Sequence, residues 1–431
     1  MVCDLAALAV EKIVGSRWVG GPPPFICGAS IDSRTIGAGE LFVAIKTDRD
    51  DGHRYIAQAA ALGAAAAIVE RVDHSVHLPQ LPVGNSILAL QAIAAANRRA
   101  AACEITAIAG SYGKTTTKDL LALLLGENCT CATAGNLNNG FGVALSLLRL
   151  DSNRHRYGVF EVGIGAPGEM APIVNMLSPK NVIFTGLSTK HREFFRSDNA
   201  LIIEKLSIGR DVRVRGGIVV APRRLLAMEQ FSPLMAVAIG PSPRAANFTL
   251  PDSSSGFFED FSLCLAICEH FSIANETIVK RLRSWTPSPL RGATYAHKFA
   301  KRHYYVDCYN SDLRPLLNSA EAFAKKFSSA PRLFAIGAME ELGPESDSIH
   351  REAGAKLPLS AGDKFFFIGA RCSHIAAGLI GRGLPPERAK LFQTLGQMKS
   401  EMESFEGAVF IKGSRAYAME RLVDFANCEK V

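Results

Sequence analysis

Short apolar runs alternate with amphipathic stretches of helical length along almost the whole chain. Runs of roughly four to eight β-branched or aromatic residues between turn residues read as buried strands, and apolar positions three and four apart read as helices packed over them. To about Pro82 the pattern predicts strands at Leu41-Phe-Val-Ala-Ile45 and Ala66-Ala-Ile-Val69 around an alanine-rich helix from Ile56 to Ala65. A helix from Ile87 to Arg99 follows, then a strand through Ile105, Thr106 and Ile108, then a helix over Lys118-Asp-Leu-Leu-Ala-Leu-Leu-Leu ending at Gly126. Strands at 158–162, 182–185 and 217–221 complete a second region, and strands at 304–306, 332–336, 364–368 and 408–411 alternate with helices in a third. Such alternation predicts parallel sheets with helices on their faces, an α/β fold. Two prolines and a glycine in Trp285-Thr-Pro-Ser-Pro-Leu-Arg-Gly292 mark a boundary. The expected domains are 1–83, a small α/β unit; 84–293, a mostly parallel sheet built around a phosphate loop; and 294–431, a Rossmann-like α/β unit with no phosphate loop of its own.

Bulk properties narrow the picture only slightly. At 431 residues the chain has room for two to four cores, and an excess of 48 Lys and Arg over 41 Asp and Glu is diffuse, with no basic run that asks for nucleic acid. Ten cysteines are scattered without a C-x-x-C pair; Cys264 and Cys268 stand at helical spacing and read as buried packing. Met1-Val-Cys-Asp-Leu lacks the basic-then-apolar pattern of a signal peptide, and no apolar run approaches the roughly 20 residues that span a bilayer. The expectation is a cytoplasmic enzyme with reduced thiols.

Chemistry concentrates at Gly110-Ser-Tyr-Gly113-Lys114-Thr115-Thr116, between a strand and a helix. A full G-x-x-x-x-G-K-T pattern would need glycine at Ile108; Gly110 supplies a shorter G-x-x-G-K-T. Strand, glycine turn and helix N-terminus together make a site for nucleotide phosphates and magnesium, with a lysine on the phosphates and a threonine on the metal. Glu161 ends another strand of the same sheet, where a carboxylate can complete the metal's coordination. Gly163-Ile-Gly165-Ala-Pro-Gly168 matches G-x-G-x-x-G, but the next strand ends in Gly186-Leu-Ser without the acid that a dinucleotide ribose needs, so that reading fails. His191 and Lys205 are unremarkable by spacing, while Lys412-Gly-Ser414-Arg415 is a basic cluster at a strand end, suited to an anionic group.

These blocks, taken in order, resemble the Mur ligases, the ATP-dependent amide-bond ligases of peptidoglycan precursor synthesis. The likeness runs nearly the whole chain: Asp32-Ser33-Arg34, Gly39 to Lys46 and Asp51-Gly-His53; the phosphate loop; Gly135-Asn-Leu-Asn-Asn139 with Gly142 to Arg149; Asp307 with Tyr309-Asn310; Glu341-Leu-Gly343 with His350-Arg-Glu; and Lys412 to Arg415. It is strongest to the branch that adds D-alanyl-D-alanine to UDP-N-acetylmuramoyl-tripeptide. The resemblance implies ATP and Mg2+ as cofactors, UDP-sugar peptide and dipeptide substrates, no nucleic-acid partner, and a monomer. It implies that Gly110, Ser111, Gly113, Lys114, Thr115, Thr116, Asn139, Arg291 and Asn310 meet ATP. Thr115, Glu161 and a carbamylated Lys205 would hold magnesium, with His191 beside them, and Lys114, Glu161, His191 and Lys205 would serve catalysis. Ser33 and Arg34 would meet the uridine nucleotide of the substrate, and Lys46, Lys412, Ser414 and Arg415 would bind substrate too.

The chain also departs from the family's pattern. Tyr112 replaces an asparagine in the phosphate loop, and Gly186-Leu-Ser-Thr-Lys190-His191 replaces Asn-Val-Gly-x-Ala-His. Gly165 stands near an expected asparagine, Lys46-Thr47-Asp48 replaces a Lys-Gly-Glu-like stretch, Asn310-Ser-Asp312-Leu313 replaces Asn-Ala-Asn-Pro, and Ala338 replaces an aspartate. A wall-synthesis ligase and a Mur-type ligase recruited to another carboxylate and amine both remain open. A non-catalytic nucleotide-binding scaffold is the third reading, and retention of Lys114, Thr115, Glu161 and Lys205 argues against it.

Overall fold

The computed structural model describes residues 6–48, 50–188, 194–252 and 254–431. Its strands form three sheets that follow one another along the chain. The first region carries helices α1 (Ala7–Val14) and α2 (Ile56–Ala61) with four short parallel strands, β1 (Ala29–Ser30), β2 (Leu41–Val43), β3 (Ala66–Val69) and β4 (Gln80–Pro82), in that spatial order. β2 and β3 are buried at every position, as parallel strands covered on both faces must be. The helix expected to reach Ala65 stops at Ala61, because Gly63 takes the left-handed conformation (φ +92°) and turns the chain into β3.

The second region contains helices α3 (Ser86–Ala100), α4 (Lys114–Leu125), α5 (Gly140–Leu147), α6 (Met170–Leu177), α7 (Asp198–Leu206), α8 (Arg223–Leu226), α9 (Ser255–His270) and α10 (Asn275–Leu282). Its strands are β5 (Glu104–Ala109), β6 (Thr130–Ala132), β7 (Tyr157–Val162), β8 (Asn181–Phe184), β9 (Val219–Val220) and β10 (Ala238–Ile239), all parallel in the order β10-β9-β8-β5-β7-β6. The two-residue period of β5 explains how both faces are covered. Ile105, Ala107 and Ala109 join a core with α3, α5 and α6, whereas Ile108 joins a second core with α4 and α9. From β5 the chain goes to β6 on one side, then returns past β5 to reach β8 on the other. The carboxyl end of β5 is therefore the switch point of the sheet, where ligands bind in open parallel folds.

The third region holds β11 (Ala293–His297), β12 (Arg302–Val306), β13 (Arg332–Gly337), β14 (Lys364–Ile368), β15 (Ala389–Phe392), β16 (Gly407–Lys412) and β17 (Cys428–Lys430), ordered β15-β14-β13-β16-β12-β11-β17. The first five in that order are parallel, and β11 and β17 close one edge antiparallel. That edge is absent from the sequence pattern because β11 is buried only at its first two positions. Helices α11 (Leu313–Lys326), α12 (Ser346–Lys356) and α13 (Cys372–Ile380) cover one face over Phe323, Phe334 and Phe410, and α14 (Leu395–Met402) covers the other through Met398 and Met402. Among the described residues no helix is long and apolar enough to cross a membrane. Cys264 and Cys268 are free, buried thiols on α9.

Candidate active site

At the end of β5 the chain turns through Gly110-Ser-Tyr-Gly113 into α4. Gly110 and Gly113 have φ of +152° and +79°, and a Cβ on Gly110 would lie 2.3 Å from Thr185 Oγ1, so neither position tolerates a side chain. The turn is tied to the end of β8: the Ser111 N–H donates to the Gly186 carbonyl at 2.6 Å, and the Thr185 hydroxyl donates to the Tyr112 carbonyl. No side chain caps the first N–H groups of α4, and they face the turn as a ready anion site. Lys114 lies back across the loop, donating to the Gly110 carbonyl at 2.9 Å.

Beside the loop, Thr115 and Glu161 are both buried. The Thr115 hydroxyl donates to Glu161 Oε2 at 2.8 Å, Asn138 Nδ2 donates to Oε1 at 2.7 Å, and the Glu161 N–H donates to Thr133 Oγ1 at 2.9 Å. No group of three or more His, Cys, Asp or Glu able to hold a metal occurs among the described residues. A hydroxyl and a carboxylate side by side are hard oxygen donors, too few to enclose an ion. That is the donor set magnesium uses when phosphates and waters complete its octahedron, so the residues fit this ion. Lys205, buried on α7, donates to Ser111 Oγ at 2.9 Å and so is tied to the loop. His191 lies outside the described residues, as does Lys190.

A cavity of about 470 Å³ opens from the phosphate loop toward the third region. Its lining includes Gly110 to Thr116, Asn136, Asn138, Asn139, Glu161, Gly165 and Lys205 on one side, and Arg291, Asp307, Tyr309, Asn310, Asp312 and Lys412 on the other. The Arg291 guanidinium stacks over the Tyr309 ring at 4.0 Å, and Asn136 Nδ2 donates to the Tyr309 hydroxyl across the opening. Asp260 on α9 sits against Gly113, its Oδ1 3.0 Å from where a Cβ would be. Burial pushes this carboxyl up to about 8, so at neutral pH it keeps its proton and adds no negative charge beside the loop.

Other sequence candidates have different surroundings. Lys412 is not an exposed basic group but is 2 % exposed: its ammonium donates to Asp307 Oδ2 at 2.7 Å and to the carbonyls of Asp307 and Asn310, both at 3.1 Å. Three hydrogens with three partners make it a prop for the Asp307–Asn310 turn. Ser414 and Arg415 are not part of the cavity lining, and Arg415 pairs with Glu420. Asn139 lines the cavity, but its Oδ1 accepts from the Gly142 N–H as the N-cap of α5. Ser33, Arg34 and Lys46 belong to the first region and lie outside this lining; the Ser33 hydroxyl donates to Gln58, Arg34 is held in a fork by Asp32, and the backbone of Lys46 forms an isolated antiparallel bridge with that of Asp51.

Comparison with known proteins adds a second line of argument. The Mur ligase family catalytic-domain model matches residues 26–108, and the Mur ligase middle-domain model matches 108–242, a continuous run through the phosphate loop and Glu161. The chain belongs to the Mur ligase family. It is 28 % identical over 428 residues to the UDP-N-acetylmuramoyl-tripeptide–D-alanyl-D-alanine ligase of Escherichia coli strain K12, covering 91 % of this chain and 92 % of that one. Among solved structures, MurF from Acinetobacter baumannii superposes with a TM-score of 0.83 at 24 % identity, covering 98 % of both chains. The MurF ligase from Thermotoga maritima in complex with ADP superposes with a TM-score of 0.75 at 22 % identity, covering 92 % of this chain and 96 % of that one. At these identities the structural likeness speaks for the fold.

Seen in a Mur ligase, two of the departures prove to be neighbours. Tyr112 and Gly186 form an isolated antiparallel bridge, and the Tyr112 ring fills the space a side chain at 186 would need: a Cβ there would lie 2.2 Å from the ring's Cζ. Gly186 is not left-handed, so its demand for glycine is one of space alone. The Tyr112 hydroxyl faces Arg224 at 3.4 Å, and Arg224 pairs with Glu259. Sequence reasoning passed over Asn138, Tyr309 and Asp260. Asn138 and Asn139 are indistinguishable within one Asn-rich block, and Glu259-Asp260 reads as the wet face of a helix. Tyr309 carried a signal, since it stands in the Asp307–Asn310 block.

Proposed function

We propose that this chain joins D-alanyl-D-alanine to UDP-N-acetylmuramoyl-tripeptide in an ATP-dependent, ADP-forming reaction that passes through an acyl phosphate. The observation that carries the reading is the single cavity in which an uncapped helix N-terminus, Lys114 and the Thr115–Glu161 pair face the third region. Likeness to ligases of that name over nine-tenths of both chains supports the choice of substrates.

In this reading a carboxylate oxygen of the nucleotide-linked peptide attacks the γ-phosphorus of ATP, the bond to the β–γ bridging oxygen breaks, and ADP leaves. The free amine of the acceptor then attacks the acyl carbon, the carbon–oxygen bond to phosphate breaks, and the new amide nitrogen loses a proton to solvent. Lys114 and the α4 N–H groups bind the β- and γ-phosphates and stabilise the charge that grows during transfer. Thr115 and Glu161 would hold one magnesium ion and a carbamylated Lys205 a second, supplying positive charge that neutralises the phosphates. Asp260, keeping its proton, spares the polyphosphate a repelling charge. Arg291 at the junction of the second and third regions, with Tyr309 and Asn310 of the third, walls the cavity and keeps water from the acyl phosphate. Ser33 and Arg34 would hold the uridine nucleotide from the first region, where Lys46 would bind substrate too.

The test is phosphate release from ATP with UDP-N-acetylmuramoyl-tripeptide, with and without D-alanyl-D-alanine, with the product weighed by mass spectrometry. Release that requires both substrates, with the pentapeptide product, supports the reading. A protein that binds ATP and magnesium yet turns over neither substrate would favour a Mur-type ligase with another carboxylate and amine. The changes at Tyr112 and Asp312, both in the cavity lining, favour that second reading.

A further inference from the structure

Glu161 does not hold its position alone. Its Oε1 accepts from Asn138 at 2.7 Å, and Asn138 belongs to a loop in which almost every residue is tied down. Buried Lys118 donates to the carbonyls of Thr133 and Gly135 at 3.0 and 3.3 Å, fixing the start of the loop. The Asn138 carbonyl accepts from the Gly163 N–H at 2.8 Å, and a Cβ on Gly163 would lie 3.2 Å from Asn138 Cγ. Glycine at 163 thus leaves room for the amide to lie flat against the strand end beside Glu161. Two residues earlier, Asn136 reaches out of the same loop to the Tyr309 hydroxyl, and Tyr309 is held from behind by the Arg291 guanidinium.

We propose that Asn138 is a positioning residue for the metal-binding carboxylate of Glu161, and that Tyr309 of the third region sets it through Asn136. The proposal rests on the reading of Glu161 as a metal ligand. An amide donating to one carboxylate oxygen fixes the rotation of the group and leaves the other oxygen directed at Thr115. A group that orients a metal ligand in this way typically governs metal affinity about 10- to 100-fold when it is removed. Because Asn136 and Asn138 flank a single residue, docking of the Tyr309 hydroxyl constrains where Asn138 can sit. A third region displaced from the cavity would release it.

The experiment uses the full chain and the ATP analogue adenylyl imidodiphosphate, titrated by calorimetry once with EDTA and once with Mn2+. The ratio of the two affinities isolates the contribution of the metal. Asn138→Ala should cut that ratio about tenfold while leaving the metal-free affinity near the parent's. Tyr309→Phe keeps the stack on Arg291 and loses the hydroxyl, so it should lower the ratio several-fold. Combining it with Asn136→Ala should lower it no further. Glu161→Gln is the reference: if it abolishes the Mn2+ effect while Asn138→Ala does not change it, the proposal is overturned and the metal-ligand reading stands. If Glu161→Gln leaves the Mn2+ effect intact, the metal-ligand reading itself fails and the proposal goes with it.

Discussion

The contact between Tyr112 and Gly186 can be tested by Gly186→Ala, alone and in a Tyr112→Ala background. The added Cβ would lie 2.2 Å from Cζ, 2.3 Å from Cε2 and 2.6 Å from the hydroxyl oxygen of Tyr112, while ordinary contact begins at 3.4 Å. The backbone on both sides cannot absorb the difference. Ser111 N–H to Gly186 O at 2.6 Å pins one strand to the other, and the Thr185 hydroxyl holds the Tyr112 carbonyl. The ring must therefore swing by about an ångström, which opens its 3.4 Å approach to Arg224. Overpacking of this kind costs about 1–3 kcal/mol. At about 2–4 °C per kcal/mol for a domain of roughly 200 residues, the unfolding midpoint should fall by roughly 2–12 °C. With alanine at 112 the same change should cost close to nothing, giving a coupling energy of about 1–3 kcal/mol by thermal unfolding of the four proteins. Equal losses from Gly186→Ala in both backgrounds would refute the argument that the ring, and nothing else, demands glycine there.

Lys114→Ala should abolish ATP-dependent ligation, because it removes the only side-chain cation of the loop itself; near-normal turnover measured by phosphate release would sink the phosphate-loop assignment. Lys412→Met leaves Asp307 without its partner and two carbonyls without a donor, and should destabilise the third region by about 3 kcal/mol in urea unfolding. A loss under 1 kcal/mol would show that the turn does not need its prop. His350 is fully buried, with Nε2 accepting from the Met339 N–H at 3.0 Å and Nδ1 on the Ser346 carbonyl; burial holds its pKa below the ordinary 6.5. The unfolded chain then binds the proton more readily, so His350 should cost stability as pH falls below about 6.5, and His350→Asn should flatten that part of the profile. An unchanged slope in the variant would assign the effect to other groups.

Much of this protein was legible in one dimension. Short continuous apolar runs locate β3 and β14 at their observed limits, and β5 and α4 are announced by local composition with the glycine turn between them. A phosphate loop is a local object: consecutive residues make the strand end, the turn and the helix N-terminus, so the sequence carries it whole. Glu161 was also within reach, since its place at the end of a buried strand follows from the alternation of β and α.

What the sequence could not decide are the matters of which side chain meets which across the fold. Asn138 rather than its neighbour Asn139 touches Glu161, because the loop's path past Gly163 and the N-cap of α5 turn one amide inward and the other into a helix. Lys412 looks like an exposed cation at a strand end, yet the parallel pairing of β16 with β12 brings it under the Asp307–Asn310 turn, where three oxygens consume it. Tyr112 and Gly186 read as two unrelated departures until β5 and β8 pair and put them in contact. Backbone propensity and amphipathic period act between residues a few positions apart, so a chain states them openly. Burial, hydrogen-bond saturation and steric room depend on residues brought together from distant positions, and only the packed sheets fix those.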